Sequence, residues 1–372
     1  MSRLSFFNKV VLLLNIVVSF CLILSYLSGS INPETFWQIA LFGLAYPFLL
    51  ILNSLFFLYW IVQGKKMALL SLLTILIGWN QLKTVINFSA SEETINSEKD
   101  SFSIMSYNVR LFDLYNWTKN KESRNKIFNL IDQEKPDILC LQEFFHADRD
   151  IDFVTLDTIR KFVYPKNEHI VYTSTVRETD YFGIATFSYF PIIKRGVVPL
   201  SNSGNNICIY TDIVKNNDTL RIYNCHLASI HFGKDDYKFI EDIEKTDSKQ
   251  RILGIVQILG RLKTAFLKRS VQAREIYAHM AQSPHPFMIC GDFNDPPTSY
   301  TYSTLSEGLN DAFIFGGKGF GTTYAGNFPS YRIDYILFQD YFSAYDFKTI
   351  KEKYSDHYPI LCKMQIGDNP KE

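Results

Sequence analysis

The chain has 372 residues with 38 basic and 38 acidic side chains, so its formal charge is zero, and its length fits about two domains or one domain with an appendage. The charges divide unevenly. Residues 1–89 hold five basic residues (Arg3, Lys9, Lys65, Lys66, Lys83) and one acid, Glu34, which leaves 33 basic and 37 acidic residues, a charge of −4, for residues 90–372. A mildly acidic domain lacks the clustered positive charge of a general nucleic-acid binder, which argues against that class without excluding it. None of the six cysteines stands in a C-x-x-C spacing. Their apolar surroundings predict buried free thiols, not a disulfide framework or a zinc site.

Residues 1–88 read as a membrane module. Val10–Ser28 is uncharged and long enough to cross a bilayer, as is Phe36–Val62, which carries Trp37, Tyr59 and Trp60 near its ends as interfacial anchors. Pro47 and Asn53 inside the second run are tolerable in a bilayer helix. Met67–Phe88 is a weaker third span, with Asn80, Gln81 and Lys83 in its last third. No small-residue cleavage site follows the first run, so it is not read as a signal peptide. Arg3, Lys9, Lys65 and Lys66 then place the N-terminus and the second loop in the cytoplasm, and three crossings leave the rest outside, at the plasma (inner) membrane.

Ser89–Asp100 is a polar linker of about a dozen residues, reaching at most ~40 Å. Beyond it, strands and helices alternate. Strands are expected at Ile104–Val109, Asp137–Gln142, Gly183–Phe187, Asn206–Ile213, Arg221–Leu227, Phe287–Cys290, Tyr331–Phe338 and Tyr358–Met364, with a helix over Lys119–Gln133. Gly291 reads as a break after Phe287–Cys290. Residues 229–282 form a long excursion, charge-rich over Lys234–Lys249 and helical over Ile252–Met280. The basic residues around that helix, Arg251 to Arg274, suit either an anionic lipid surface or a solvated helix face. Gly316–Gly321 is a phosphate-cradling loop or, more simply, a connection. His169, His231, His279 and His285 are expected at the surface. Many strands with few helices point to two packed sheets with helices outside.

Polar residues recur at the ends of these strands: Asn108, Glu143, His226, Asp292, Asn294, Asp334, Asp356 and His357. Taken singly each fits a solvated turn, Asp292 and Asn294 included. Together they are the types suited to hard cations and phosphate: carboxylates for Mg²⁺, amides and imidazoles as donors to phosphoryl oxygens.

The segments that carry them, Ser106-Tyr107-Asn108-Val109, Leu141-Gln142-Glu143, Asn224-Cys225-His226-Leu227, Gly291-Asp292-Phe293-Asn294, Arg332-Ile333-Asp334-Tyr335 and Ser355-Asp356-His357, resemble in order the motifs of the endonuclease/exonuclease/phosphatase superfamily. That group includes deoxyribonuclease I and neutral sphingomyelinases. The resemblance covers about residues 101–366. It implies an α/β fold, a four-layered α/β/β/α sandwich, here preceded by three transmembrane helices, and hydrolysis of a phosphodiester or phosphomonoester assisted by Mg²⁺ or Mn²⁺. It also implies roles: Glu143 as principal metal ligand, Asn108 beside it, and Asp356 near or in the metal shell. Asp292 orients or deprotonates the attacking water, Asn294 donates to the phosphoryl group, His357 contacts phosphoryl oxygens with its tautomer set by Asp334, and His226 is a second imidazole at the phosphate. Two departures stand out: His226 replaces the Tyr usual in abasic-site endonucleases, and Ser188-Tyr189-Phe190-Pro191 lacks the usual basic residue.

The sequence therefore leads to a membrane-anchored metal-dependent phosphoesterase. Its expected partners are the lipid bilayer and a phosphoester substrate, a lipid head group ahead of nucleic acid, with no obligate protein partner. An extracytoplasmic nuclease and an idle membrane-proximal binding domain are the competing readings. The second is disfavoured because binding alone has no need of the whole set.

Overall fold

The structure is a computed structural model that describes residues 4–88, 101–149, 153–162, 167–201, 204–230, 239, 247–326 and 330–367. The predicted linker 89–100, most of the charge-rich stretch before residue 247, and His231 lie outside the described residues. The compact units do not follow chain order. Described residues of Met1–Lys83 belong with Ser229–Ser270 and Pro296–Thr304, whereas Thr84–Ala228, Val271–Asp295 and Leu305–Glu372 form a second unit.

In the first unit, Phe6–Leu27 and Ile39–Val62 are helices of 22 and 24 residues, long and apolar enough to cross a membrane. The predicted third span is two helices, Ala68–Ile77 and Trp79–Val85, bent by 70°. Among the described residues, two helices could thus cross a membrane, or three segments could if the bent pair counts as one span. The break falls at Gly78, where a Cβ would lie 2.2 Å from the ring of Tyr26. Leu13, Phe20, Ile51, Leu55 and Leu73 are exposed, while Asn15, Ser19, Asn53 and Ser71 are buried. The buried polar groups satisfy one another. Asn15 donates to Ser71 Oγ at 2.8 Å, Ser19 donates to Asn53 Oδ1 at 2.8 Å, and Trp60 Nε1 donates to Asn15 Oδ1 at 3.0 Å. With no water in hydrocarbon, such groups must pair internally, and here they tie three helices together. Thr298 Oγ1 donates to Gly43 O at 2.8 Å, attaching the Pro296–Thr304 segment to the second helix.

The described residues of the second unit contain eleven strands of five residues or more: β1 Ser101–Asn108, β2 Ile138–Ala147, β3 Glu168–Val176, β4 Asp180–Ser188, β5 Ile192–Val197, β6 Ile207–Lys215, β7 Asp218–His226, β8 Phe287–Asp292, β9 Asp334–Phe338, β10 Phe342–Thr349 and β11 Ile360–Ile366. One sheet runs β10-β11-β1-β2-β4-β3 and the other runs β9-β8-β7-β6-β5, with Asn310–Asp311 added beyond β9. Only β1–β2 and β7–β8 pair in parallel among these ladders. Ile104, Cys140, Ile222, Met288, Ile336 and Cys362 fill one core between the sheets. Met105, Tyr107, Leu139 and Leu141, on the opposite face, pack against Ile127, Leu130 and Ile131 of helix Ser123–Glu134. Ala273, Ile276 and Met280 are buried at the end of helix Ser248–Met280, where His279 Nδ1 lies 2.9 Å from Tyr223 Oη of β7. This is the four-layered sandwich implied by the motifs.

Several details differ from expectation. Strand β8 runs through Gly291 to Asp292 instead of breaking there. Gly291 has φ +137°, and a Cβ would lie 2.0 Å from Cys225 O of β7. Only glycine lets the two strands approach in that way. β2 continues five residues past Gln142. The Gly316–Gly321 stretch ends a short helix and then pairs Gly319–Phe320 with Ile86–Asn87. His169 is 5% exposed, not at the surface, with Nδ1 2.9 Å from Thr211 Oγ1. His279 and His285 are partly buried.

Candidate active site

The two-residue period of a strand explains how the site forms. Phe102, Ile104, Ser106 and Asn108 of β1 alternate onto one face, as do Met288, Cys290 and Asp292 of β8, and the apolar members enter the inter-sheet core. The last residue of each series is polar, and Asn108 Nδ2 meets Asp292 Oδ2 at 2.9 Å. His226 ends β7 and is the register partner of Asp292 across the parallel pair. Asp334 opens β9 and is the antiparallel partner of Asp292.

Glu143 reaches the site by a different device. Unbroken alternation would send it to the face opposite Gln142. Instead the β2–β4 register shifts between Leu141 and Phe144, and Glu143 takes φ +49°. The bulge re-aims the carboxylate. Its Oε1 lies 3.3 Å from Asn108 Nδ2 and 3.6 Å from His226 Nε2.

Asp292 Oδ2 is the point of convergence. Besides Asn108, it faces Asn294 Nδ2 at 3.2 Å, His357 Nε2 at 3.6 Å and His226 Nε2 at 3.8 Å. Its other oxygen accepts from the Asn294 backbone N–H at 2.8 Å, a turn in which Asn294 adopts φ +54°. His357 Nδ1 is 2.9 Å from Asp334 Oδ2, so Asp334 fixes the ring and leaves Nε2 facing Asp292. Asp356 Oδ2 is 3.2 Å from Arg110 Nε, and Ser355 Oγ donates to Asn108 O at 2.8 Å. All eight residues singled out from the sequence are thus gathered at one end of the sandwich.

Burial raises the Asp292 carboxyl to about 6; His357 opposes this, Asp334 reinforces it, and His226 and Asn108 oppose it. Glu143 is also raised, by burial and then by the Asp356 charge, against His357, Asn108 and Arg110. For His357, burial alone would lower the pKa, but Asp334 and Asp292 together carry it well above the ordinary imidazole value.

Four carboxylates with two imidazoles and Arg110 leave an excess of negative charge, and the hard oxygens of Glu143 and Asp356 suit a divalent cation. Asp292, Asp334 and His357 also present ligand atoms within 4.8 Å of one another. That trio already holds the Asp334–His357 hydrogen bond, which fits an orienting pair better than a cage. Asn108 turns its NH₂ to Glu143 and Asp292, and its Oδ1 accepts from the Arg110 N–H at 3.0 Å. In this arrangement it joins the two acids as a donor.

Sequence reasoning gave no role to several supporting groups. Gln142 Nε2 donates to Asn224 Oδ1 at 2.7 Å and to Ser106 Oγ at 3.1 Å, and Asn224 Nδ2 donates to Thr186 Oγ1 at 3.2 Å. This neutral layer lies one strand step beneath Asn108, His226 and Asp292. Gln142 and Asn224 stood within the quoted motifs, and their position two residues before a site residue, or one, was the available signal. Arg110 was also overlooked; besides Asp356 it touches Trp117, with Cζ 4.6 Å from the ring centroid.

The family model for the endonuclease/exonuclease/phosphatase family matches residues 105–357, and a model for a domain of unknown function matches residues 8–85. No curated protein matches the chain. Among solved structures, an endonuclease/exonuclease/phosphatase from Beutenbergia cavernae is similar at TM-score 0.51 and 14% identity, over 73% of each chain. A family protein from Bacteroides thetaiotaomicron is similar at TM-score 0.51 and 16% identity, over 72% of this chain and 95% of that one. The human Nocturnin catalytic domain, solved with a bound sulfate anion, gives the same four values. These likenesses concern the fold, whereas the family model spans more than half of the sequence. The chain belongs to the endonuclease/exonuclease/phosphatase family.

Proposed function

We propose that the chain is a membrane-anchored, divalent-metal-dependent phosphoesterase that acts on a lipid-linked phosphoester outside the cytoplasm. Members of its family hydrolyse phosphoester bonds and are generally dependent on a divalent metal. The observation that carries the reading is the convergence of Asn108, Asn294, His226 and His357 on Asp292 Oδ2, beside Glu143. In this reading Asp292, with its carboxyl raised to about 6, is a base at neutral pH and orients the attacking water. Asn294, His226 and His357 donate to the phosphoryl oxygens, and Asp334 holds His357 in place. Glu143 would hold Mg²⁺ or Mn²⁺, with Asp356 beside it and Asn108 taking part by turning its Oδ1. When bound, the ion supplies charge stabilisation at the phosphoryl group.

Tethering, the charge of −4 on residues 90–372 and the basic, partly apolar helix of the excursion favour a lipid head group over DNA. The full chain in mixed micelles is expected to release head group from a phospholipid or sphingolipid faster than it nicks plasmid DNA, and to stop completely in chelator. Plasmid nicking at physiological salt with no head-group release would make the chain a tethered nuclease. Full turnover in chelator would overturn the metal assignment. A reporter active only outside the cytoplasm, fused after Glu372, should work, whereas one fused at Gly64 should be silent; the reverse pattern would place the catalytic unit inside.

A further inference from the structure

Within the first unit, the Ser248–Ser270 portion of the long helix has two unlike parts. Leu262 and Phe266 are buried with Ala40, and Ile258 and Leu259 pack in the same cluster with Trp37, Leu41 and Leu44. These partners sit at the start of helix Ile39–Val62, and Leu44 is only ~8 Å along it. The helix is therefore held where a span meets the membrane boundary. One to two turns earlier, Ile252, Leu253 and Val256 are 63%, 61% and 61% exposed, and Ile255 is exposed as well. The ring of Phe239 lies over Gly254, where a Cβ would come within 2.4 Å of it, adding an aromatic to the same stretch.

The charge pattern is one-sided. Residues 248–270 contain Lys249, Arg251, Arg261, Lys263, Lys268 and Arg269 and no acid. Lys263 Nζ is 5.8 Å from the Trp37 ring centroid, which pairs a cation with an aromatic of the kind found at head-group level. Apolar side chains flanked by cations, at the depth where a span begins, match a helix lying in the interface of an anionic bilayer.

We propose that Ile252–Val256 inserts into the head-group and acyl boundary of the membrane that holds the spans, with Lys249, Lys263 and Lys268 on anionic phospholipid head groups. The contact is with bulk lipid and is separate from catalysis. It depends on the spanning helices and not on the substrate.

The test uses the full chain in nanodiscs holding one copy each, with Cys21→Ser removing the native thiol that is not fully buried. A nitroxide is placed at Val256→Cys or, as a control about 120° round the helix from Val256 and about 160° from Ile252, at the exposed position Gln250→Cys. In discs containing phosphatidylglycerol, the oxygen-to-nickel-chelate accessibility ratio at Val256→Cys is expected to exceed that at Gln250→Cys by roughly tenfold. Lys249→Glu with Lys268→Glu should lower that ratio in anionic discs and leave it unchanged in phosphatidylcholine discs. Equal ratios at the two sites would overturn the proposal. So would protection seen only with two copies per disc, which would make the stretch a contact between copies. Loss of enzyme activity with the tenfold difference retained would count against the proposed function alone.

Discussion

Two buried polar clusters in this molecule are built on opposite terms. Among the apolar N-terminal helices, Asn15, Ser19, Asn53, Ser71 and Trp60 are all neutral and pair with one another. At the end of the sandwich, Asp292, Asp334, Glu143 and Asp356 stand among two imidazoles and Arg110, and two of the carboxyls are pushed up in pKa. A neutral, satisfied cluster lowers the free energy of one arrangement of helices. A charged cluster short of cations is costly to the fold and keeps its potential for something that arrives later. The difference separates an interaction that specifies structure from one that serves chemistry.

Substitution should divide the two along that line. Asp292→Asn or His357→Ala is expected to lower turnover by about three orders of magnitude or more. For Asp292→Asn the thermal midpoint should be unchanged or higher. A carboxyl whose folded pKa is raised disfavours the fold at pH values above its unfolded pKa, and the neutral amide removes that cost. Near-native turnover in either variant would mean that the site is misplaced. A fall of several degrees in midpoint for Asp292→Asn would instead put this cluster in the same class as the neutral one.

Asn15→Leu should do the reverse. It takes a partner from Ser71 and Trp60 at once, and about 1 kcal/mol of helix-association stability should be lost. Turnover per folded molecule should be preserved. Unfolding of the full chain in graded detergent would measure it, and an unchanged unfolding curve would show the neutral cluster to be energetically idle.

His169 offers a buried titratable group far from both roles. Burial, and then Arg195, lower it to about 4. An unfolded imidazole titrates near ~6.5, so the unfolded chain takes up this proton first as pH falls. Stability contributed by the neutral ring is complete above that value and is lost progressively down to the folded pKa. After allowance for solvent screening, about 1–2 kcal/mol should go by pH 5. Stability measured at pH 7 and pH 5 should therefore differ by less in His169→Gln than in the parent. Equal pH slopes would refute the assignment.

What could be read from the sequence followed the burial of the strands. Asp137–Gln142 and Phe287–Cys290 announce themselves because central strands are apolar on both faces, and the polar residues after them stood out for the same reason. β3, β5 and β10 went unread. Each lies at a sheet edge, and Glu168–Val176, Ile192–Val197 and Phe342–Thr349 mix charge with apolar residues as edges do. The route of Glu143 was also hidden, because a bulge is a property of the pairing of two strands and leaves no mark on either alone. The third apolar run bends at Gly78, just ahead of Asn80, Gln81 and Lys83, the residues that had already weakened it as a span. His169 was misplaced because a lone histidine between Glu168 and Ile170 carries no signal of the Thr211 hydroxyl waiting on another strand.

Gly291 gives the site its gauge. With no side chain between them, β7 and β8 run at backbone contact, and the register sets His226 opposite Asp292. The gap between imidazole and carboxylate is then a lattice constant of the parallel pair, not something either side chain must find by moving. Tolerance in such a site is inherited from the hydrogen-bonded ladder, which yields by a few tenths of an ångström at most before it breaks. Any larger residue at position 291 would act as a spacer and detune the pair while leaving both of its members intact.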